Sequence, residues 1–253
     1  MGKDQSFLYK LLAKFGFAKE IKRQIFIHKS TGIPLLFKMD ENTFPDEWLN
    51  KEVRPKVELI KRKEISRSSF ITSKAMDKYP KDFLVEELKA VYVFQKMFFR
   101  GQPYAGTHDE ARIYMCNAGV DMGFSDNLVE TIFHHEMASI LLQKYPMHFN
   151  SKKWNALNKQ DYWATSSSEI LNRKTNTKTF NDQLSQKGFI NEFASSIVRN
   201  DFVTIAENLF LNDSYFHNWV ENYPILQMKC KLVIQFYYVA HLDFTPKYFQ
   251  EIG

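Results

Sequence analysis

Cysteine is scarce in this chain: Cys116 and Cys230 are its two cysteines, far apart in the sequence and each among apolar residues. They form neither a C-x-x-C pair nor the framework of several disulfides that small exported domains use. The sequence therefore predicts two buried free thiols.

Glycine and proline are also few, with 9 and 8 among 253 residues, which argues against a collagen-like or extended disordered chain. The hydrophobic fraction of 44% is that of an ordinary globular protein, and the length is sufficient to bury a substantial core. We find no internal repeat and no linker. We predict an N-terminal arm or helix over residues 1–30 and a single domain over residues 31–253.

Long apolar runs are missing, since none approaches the ~20 residues that a membrane-spanning helix needs. Segment 7–15 is interrupted by lysines and is not the core of a signal peptide, so the chain as given shows no signal sequence.

The positive charge is modest, at +5, and it is spread along the chain with clusters at residues 10–29 and 51–67. Nucleic-acid binding would need one basic surface and a recognisable reading module, and we see no such module. We interpret both clusters as solvated helix faces and predict no nucleic-acid partner.

The apolar periodicity predicts an alternation of strands and helices. We expect strands at 33–39, 90–94 and 112–117, a loop at 101–107, and helices at 48–67, 83–91, 126–144, 201–211, 224–240 and after 246. Ser125 is the predicted N-cap of the helix at 126–144, and Asn200 that of the helix at 201–211. The expected fold class is α+β, with a small mixed sheet, packed helices, and the helix at 126–144 at the centre.

The stretch Thr131–Leu142 is apolar at helical spacing, but His134, His135 and Glu136 interrupt it. From His135 onward it has the outline of H-E-x-x-H, in which two histidines on one helical face bind zinc and the glutamate takes a proton from the metal's water. Ser139 stands where the second histidine belongs. A serine hydroxyl is a poor zinc ligand beside imidazole or carboxylate.

Three stretches, in this order and spacing, resemble a known family. Thr131–Leu142 resembles the T-h-H-H-E-F-x-H-I-L helix of the "putative zinc-binding metallopeptidase" family of Bacteroidetes, which is encoded beside nutrient-import systems. Gly188–Phe210 resembles its G-F-x-x-x-Y-A-S-S…E-D-F-A-E segment, and Phe236–Phe249 resembles its closing segment. The likeness spans roughly residues 30–250 and extends more distantly to the catalytic domain of anthrax lethal factor.

The resemblance implies a zincin-like metallopeptidase domain with zinc as its cofactor. It makes His135 the first zinc ligand and Glu136 the general base. The third ligand of the family is acidic and begins a later helix, which matches Asp201 best and Glu207 second. These two residues are six positions apart, about 240° around a helix, so they point apart and only one is expected to face the site.

Phe193 falls on the family's tyrosine, whose hydroxyl would polarise the substrate carbonyl, so this donor is absent. With Ser139, the site has changed at two positions. Three hypotheses remain: a zinc-dependent metallopeptidase, a catalytically inactive relative that binds a peptide, glycan or envelope partner, and a structural protein whose His-Glu pair only hydrogen-bonds in the core. If zinc is bound, His148 or His108 could supply a missing ligand, whereas His134 points about 100° from His135.

The resemblance also implies a place in the cell envelope, as a periplasmic or surface lipoprotein, with a lipid anchor that this chain does not contain. A peptide or protein is the expected substrate or ligand, and we expect a monomer.

Overall fold

The computed structural model describes residues 24–164 and 178–252. The described chain divides into two compact units, one with residues 24–77 and 84–129 and the other with residues 78–83 and 130–252. This division does not decide whether residues 31–253 fold as one domain, so that remains a prediction. The predicted N-terminal arm lies outside the described residues as far as residue 23, and a strand begins at Ile25.

The first unit contains a mixed sheet. Its strands are β1 (Ile25–Ile27), β2 (Pro34–Leu36), β3 (Lys56–Leu59), β4 (Ala90–Phe99), β5 (Gln102–Tyr104), β6 (Gly106–His108) and β7 (Arg112–Cys116). The order is β1-β2-β4-β7-β6, and β3 and β5 both pair with β4. The pairs β2/β4 and β4/β7 are parallel, whereas β1/β2, β6/β7, β3/β4 and β4/β5 are antiparallel.

Strand β4 is central because its residues are apolar at nearly every position and both of its faces are covered. An aromatic core lies on one side of it, where Tyr92 stacks on Tyr114 with ring centroids 5.2 Å apart. Phe44 packs edge to face against Phe99 in the same core at 5.7 Å.

The described helices run from α1 to α9. They are α1 (Arg62–Asp77), α2 (Lys81–Glu87), α3 (Asp126–Lys144), α4 (Ser151–Asn155), α5 (Asp182–Ser185), α6 (Val198–Leu211), α7 (Ser214–Glu221), α8 (Pro224–Ala240) and α9 (Pro246–Glu251). The α+β fold class with a small mixed sheet is therefore confirmed. None of these helices is long and apolar enough to cross a membrane.

In the second unit, α6 and α8 pack against each other through aromatic side chains. The rings of Phe202 and Phe236 are 5.0 Å apart, as are those of Phe210 and Tyr237. Such edge-to-face pairs add to the free energy gained by burying the rings. Helix α6, which carries both acidic residues considered as ligands, is thereby packed on α8.

Several expectations at the level of elements are confirmed and others are wrong. Helices α3 and α8 have the predicted bounds, and both cysteines are buried and free. The helix predicted over 48–67 is wrong, because a short 3-10 turn at Asp46–Trp48 and strand β3 precede α1. The loop predicted over 101–107 instead contributes β5 and the start of β6. Asn200 is not an N-cap, since α6 begins at Val198.

Candidate functional site

Helix α3 carries the two histidines to different surroundings. The hydroxyl of Ser125 accepts from the amide of Leu128 and caps the helix start, as predicted. His134 is completely buried, with Nδ1 3.0 Å from the hydroxyl of Tyr79 and its ring 5.2 Å from that of Phe210. His134 is therefore a core residue with its own partner.

A second buried group lies one turn before His134. Glu130 forms an ion pair with Lys78 at 2.8 Å and lies 3.5 Å from Nε2 of His134. Burial alone would raise the pKa of Glu130, but His134 and Lys78 outweigh it and lower the pKa to about 2. Burial lowers the pKa of His134, which favours its neutral form.

His135 points to the other side of α3 and meets α6. Its Nδ1 lies 2.6 Å from Oε2 of Glu207, and Lys178 binds the same carboxylate, 3.1 Å from Oε1 and 3.2 Å from Oε2. Glu207 is 2% exposed, whereas the Lys178 side chain is 42% exposed and reaches in from the surface. We call His135, Glu207 and Lys178 the charged triad.

The protonation state of the triad follows from Glu207. Burial alone would raise the pKa of Glu207, but the charge of Lys178 and the hydrogen bond from His135 lower it below its ordinary value. An ionised carboxylate only accepts hydrogen bonds, so Nδ1 of His135 carries the proton and donates it. In neutral His135, Nε2 is therefore an acceptor, and no hydrogen bond occupies it within residues 24–164 and 178–252.

Ser139 and Phe193 lack two groups that the resemblance implies for the family: a metal-binding imidazole and a phenolic hydroxyl. Ser139, one turn after His135, is 1% exposed, and its hydroxyl has no hydrogen-bond partner among the described residues. Phe193 lies with its ring 5.7 Å from that of His135 and 5.0 Å from the Lys178 ammonium. The side chain in the tyrosine's position thus faces the site but brings no hydroxyl. Glu136 is buried.

Asp201 is engaged in a separate network. Its Oδ2 accepts from the Lys229 ammonium at 2.5 Å, from the Trp154 indole at 2.8 Å and from the Tyr162 hydroxyl at 2.8 Å. Burial raises the pKa of Asp201 and lowers that of Lys229, as expected for charges removed from water. The two acidic residues of α6 do point apart, and the structure joins His135 to Glu207 and Asp201 to Lys229.

The outlying histidines have other surroundings. His148 stacks on Tyr145 with ring centroids 5.1 Å apart, and His108 lies in β6. In the part of the chain that the structure describes, no three His, Cys, Asp or Glu side chains come together as a group that could hold a metal ion. The ligand and base roles of His135, Glu136, Asp201 and Glu207 therefore remain predictions.

The donors that the described residues bring to His135 do not fit a zinc ion. Tetrahedral zinc with bonds of about 2.0–2.1 Å sets neighbouring ligand atoms about 3.3 Å apart, whereas Nδ1 of His135 and Oε2 of Glu207 are 2.6 Å apart. Glu207 is thus placed as the carboxylate that orients a histidine from behind, and not as a ligand beside it. Nε2 of His135 is the one imidazole nitrogen of the triad left for a metal, with Ser139 in place of its companion.

Lys178 is the functional residue that sequence reasoning missed. It lies in a polar segment with no motif, 29 residues before Glu207 in the chain. No local pattern indicates which carboxylate a single lysine will meet after folding.

Comparisons with known proteins show the family of this chain and a structure of similar fold. A family model described as "Putative zinc-binding metallo-peptidase" matches residues 109–240, just over half of the chain, including every residue of the charged triad. No curated protein matches. A crystal structure of a putative zinc-binding metallo-peptidase from Bacteroides caccae is similar in fold, with a TM-score of 0.54 and 16% identity over 100% of this chain and 93% of that chain. The chain therefore belongs to the family described as "Putative zinc-binding metallo-peptidase".

Proposed function

We propose that this chain is a non-hydrolytic member of its family and that the surface around His135 binds a peptide segment without cleaving it. The observation that carries the proposal is the charged triad. Glu207 is bound to Nδ1 of His135 and to Lys178, so one imidazole nitrogen remains where the family's chemistry needs a complete ligand set.

Amide hydrolysis in a metallopeptidase needs a metal to activate water and a donor to stabilise the oxyanion. Glu136 could accept a proton, but Ser139 is a poor ligand and Phe193 has no hydroxyl to donate. Removing one oxyanion donor lowers kcat by about 10²–10³ in enzymes where this has been measured. Loss of a ligand and a donor together favours binding over catalysis.

The groups left at the site suit a peptide backbone. Nε2 of His135 accepts a hydrogen bond when the imidazole is neutral, Lys178, whose side chain is 42% exposed, offers a donor, and the ring of Phe193 offers an apolar face. An extended peptide presents an N–H and a C=O at every residue and can meet both polar groups. This complementarity favours a peptide over a glycan as the ligand.

A second candidate is a zinc-dependent metallopeptidase, and one observation favours it. A histidine whose Nδ1 donates to a carboxylate is the usual arrangement of a metal-binding histidine, and Nε2 of His135 is left without a hydrogen bond within the described residues. Glu136 follows directly in the chain. This candidate requires further ligands that the described residues do not bring together.

A peptide library separates the two functions. Wild type, Glu136→Gln and His135→Ala are incubated with the library, bound peptides are counted by affinity selection, and cleaved peptides by mass spectrometry. We expect wild type and Glu136→Gln to bind the same peptides and cleave none, while His135→Ala binds them at least tenfold more weakly. Cleavage by wild type that Glu136→Gln abolishes would establish the peptidase instead.

We further propose a location in the cell envelope and a monomeric state, both of which rest on the family resemblance. Fractionation of native cells with an antibody against this chain tests the location, and light scattering of the purified protein tests the oligomeric state. Recovery in the cytosolic fraction alone would contradict the first proposal.

A further inference from the structure

We infer that the ammonium of Lys178, and not a metal ion, is the fixed positive charge that balances Glu207 and, through it, orients His135. The inference deepens the proposed function, because it names the charge that this site contains. It makes Lys178 a positioning residue.

The need for a cation follows from the burial of Glu207. A carboxylate that is 2% exposed loses most of its hydration, and an unpaired buried charge is strongly destabilising. Both carboxylate oxygens lie within 3.2 Å of the Lys178 ammonium, and Nδ1 of His135 adds a hydrogen bond to Oε2. The Lys178 ammonium is the cation that contacts both oxygens of Glu207.

The path of the lysine also fits this role. The side chain reaches Glu207 across Phe193, with the ammonium 5.0 Å from the centre of the ring. The negative face of a phenyl ring attracts a cation. Three differences in the site are therefore consistent with one another. Ser139 stands in place of a ligand, Phe193 lacks a hydroxyl donor and presents a ring face, and Lys178 supplies the charge.

An ordinary surface ion pair is the competing explanation for the contact. Exposed pairs contribute little because water screens both charges and two side chains lose freedom. Here one partner is buried, so the two explanations predict different consequences when the lysine is removed.

The test compares thermal unfolding of the full chain as wild type, Lys178→Ala, Glu207→Gln and the double variant, with Lys152→Ala as an exposed lysine control. We expect Lys178→Ala to lower Tm by on the order of 5 °C, and Glu207→Gln to remove most of that loss in the double variant. Lys152→Ala should leave Tm unchanged. If Lys178→Ala does not fold, recovery of folding in the double variant gives the same answer.

Zinc is measured in the same proteins by elemental analysis after purification without chelator and overnight dialysis against ZnCl₂. We expect wild type to retain less than a tenth of an equivalent. Near-stoichiometric zinc in wild type would overturn the inference, as would additive Tm losses for Lys178→Ala and Glu207→Gln. Bound zinc without peptide cleavage would contradict this inference and leave the proposed function standing. Peptide cleavage by zinc-free protein would contradict the proposed function and leave this inference standing.

Discussion

The ammonium of Lys229 lies 2.5 Å from Oδ2 of Asp201, and both side chains are fully buried. Lys229 also donates to the carbonyl of Gly188, so its ammonium has two acceptors. This pair joins α8 to α6 in the interior of the second unit. The two acidic residues of α6 thus have different partners: Asp201 pairs with Lys229, and Glu207 binds His135 and Lys178.

Replacing Lys229 by methionine should destabilise the protein strongly. The substitution keeps much of the side-chain volume but leaves Asp201 as an unpaired charge in the core, which typically lowers the free energy of unfolding by about 3–5 kcal/mol. Urea unfolding followed by far-UV circular dichroism measures it. Lys231→Met, at an exposed position two residues on, is the control and should change stability by less than about 0.5 kcal/mol.

The double variant Asp201→Asn/Lys229→Met should recover part of that loss, since it removes both charges together. A loss below about 1 kcal/mol for Lys229→Met alone would contradict the description of Asp201 as a structural anion.

Much of the α-helical structure could be predicted because its signals are local. Helix α3 has a capping serine at Ser125, and α8 has Pro224 in its first turn, where proline is well tolerated. Strand β3 could not be predicted in this way. Three of its four residues are exposed, and it is a strand because its backbone pairs with β4, whose paired residues Phe94–Phe98 come much later in the chain.

The candidate site was only partly predictable for the same reason. The resemblance brought His135 and Phe193 together through motifs, and their ring centroids lie 5.7 Å apart. The choice between Asp201 and Glu207 depends on which side of α6 meets α3, and the role of Lys178 depends on a contact between distant segments. Contacts of this kind are set by tertiary packing and leave no local pattern.

Acid should destabilise the second unit through Glu130. Its pKa is lowered to about 2 in the folded state, so its contribution is fully present above its ordinary value of 4.5 and is lost as the pH falls from about 4.5 to 2. The loss is on the order of 3 kcal/mol. Urea unfolding at pH steps between 2 and 8 measures it, and Glu130→Gln should flatten the curve in that window.

The exposed Glu221 provides a control for that experiment, because Glu221→Gln should leave the pH dependence unchanged. His134 contributes in the same direction, because its lowered pKa means that stability also falls as the pH drops below 6.5. Glu130 opposes that lowering, so Glu130→Gln should retain or enlarge the part that His134 contributes. An unaltered slope between pH 4.5 and 2 in Glu130→Gln would contradict the assignment.

Removing the hydroxyl of Ser139 should not destabilise the protein. The buried hydroxyl has no hydrogen-bond partner among the described residues, so Ser139→Ala removes the penalty of burying an unsatisfied polar atom and should be neutral or stabilising by up to about 1 kcal/mol. Ser195 is the matched control, since it is 2% exposed and donates to the carbonyl of Glu192 at 2.9 Å. Ser195→Ala should lose about 1 kcal/mol. Equal losses in the two variants, measured by urea unfolding, would show that Ser139 has a bound partner.

Gly188 should tolerate no side chain, although it lies outside the charged triad. Its φ is +105°, and a Cβ atom there would lie 2.7 Å from Oδ1 of Asn158 and 3.1 Å from the side chain of Ile225. Gly188→Ala therefore combines backbone strain with a clash, and we expect a loss of about 2–4 kcal/mol. Gly101→Ala separates the two effects, because Gly101 has a φ of +74° with no atom within 4 Å of its Cβ position, and the variant should lose about 1 kcal/mol.

The turn at Gly188 is also joined to the buried pair, since the carbonyl of Gly188 accepts from Lys229. Gly188→Ala should therefore also weaken the contact between Lys229 and Asp201. Combining Gly188→Ala with Lys229→Met should then give less than the sum of the two single losses in urea unfolding, and strict additivity would show that the turn and the buried pair are independent.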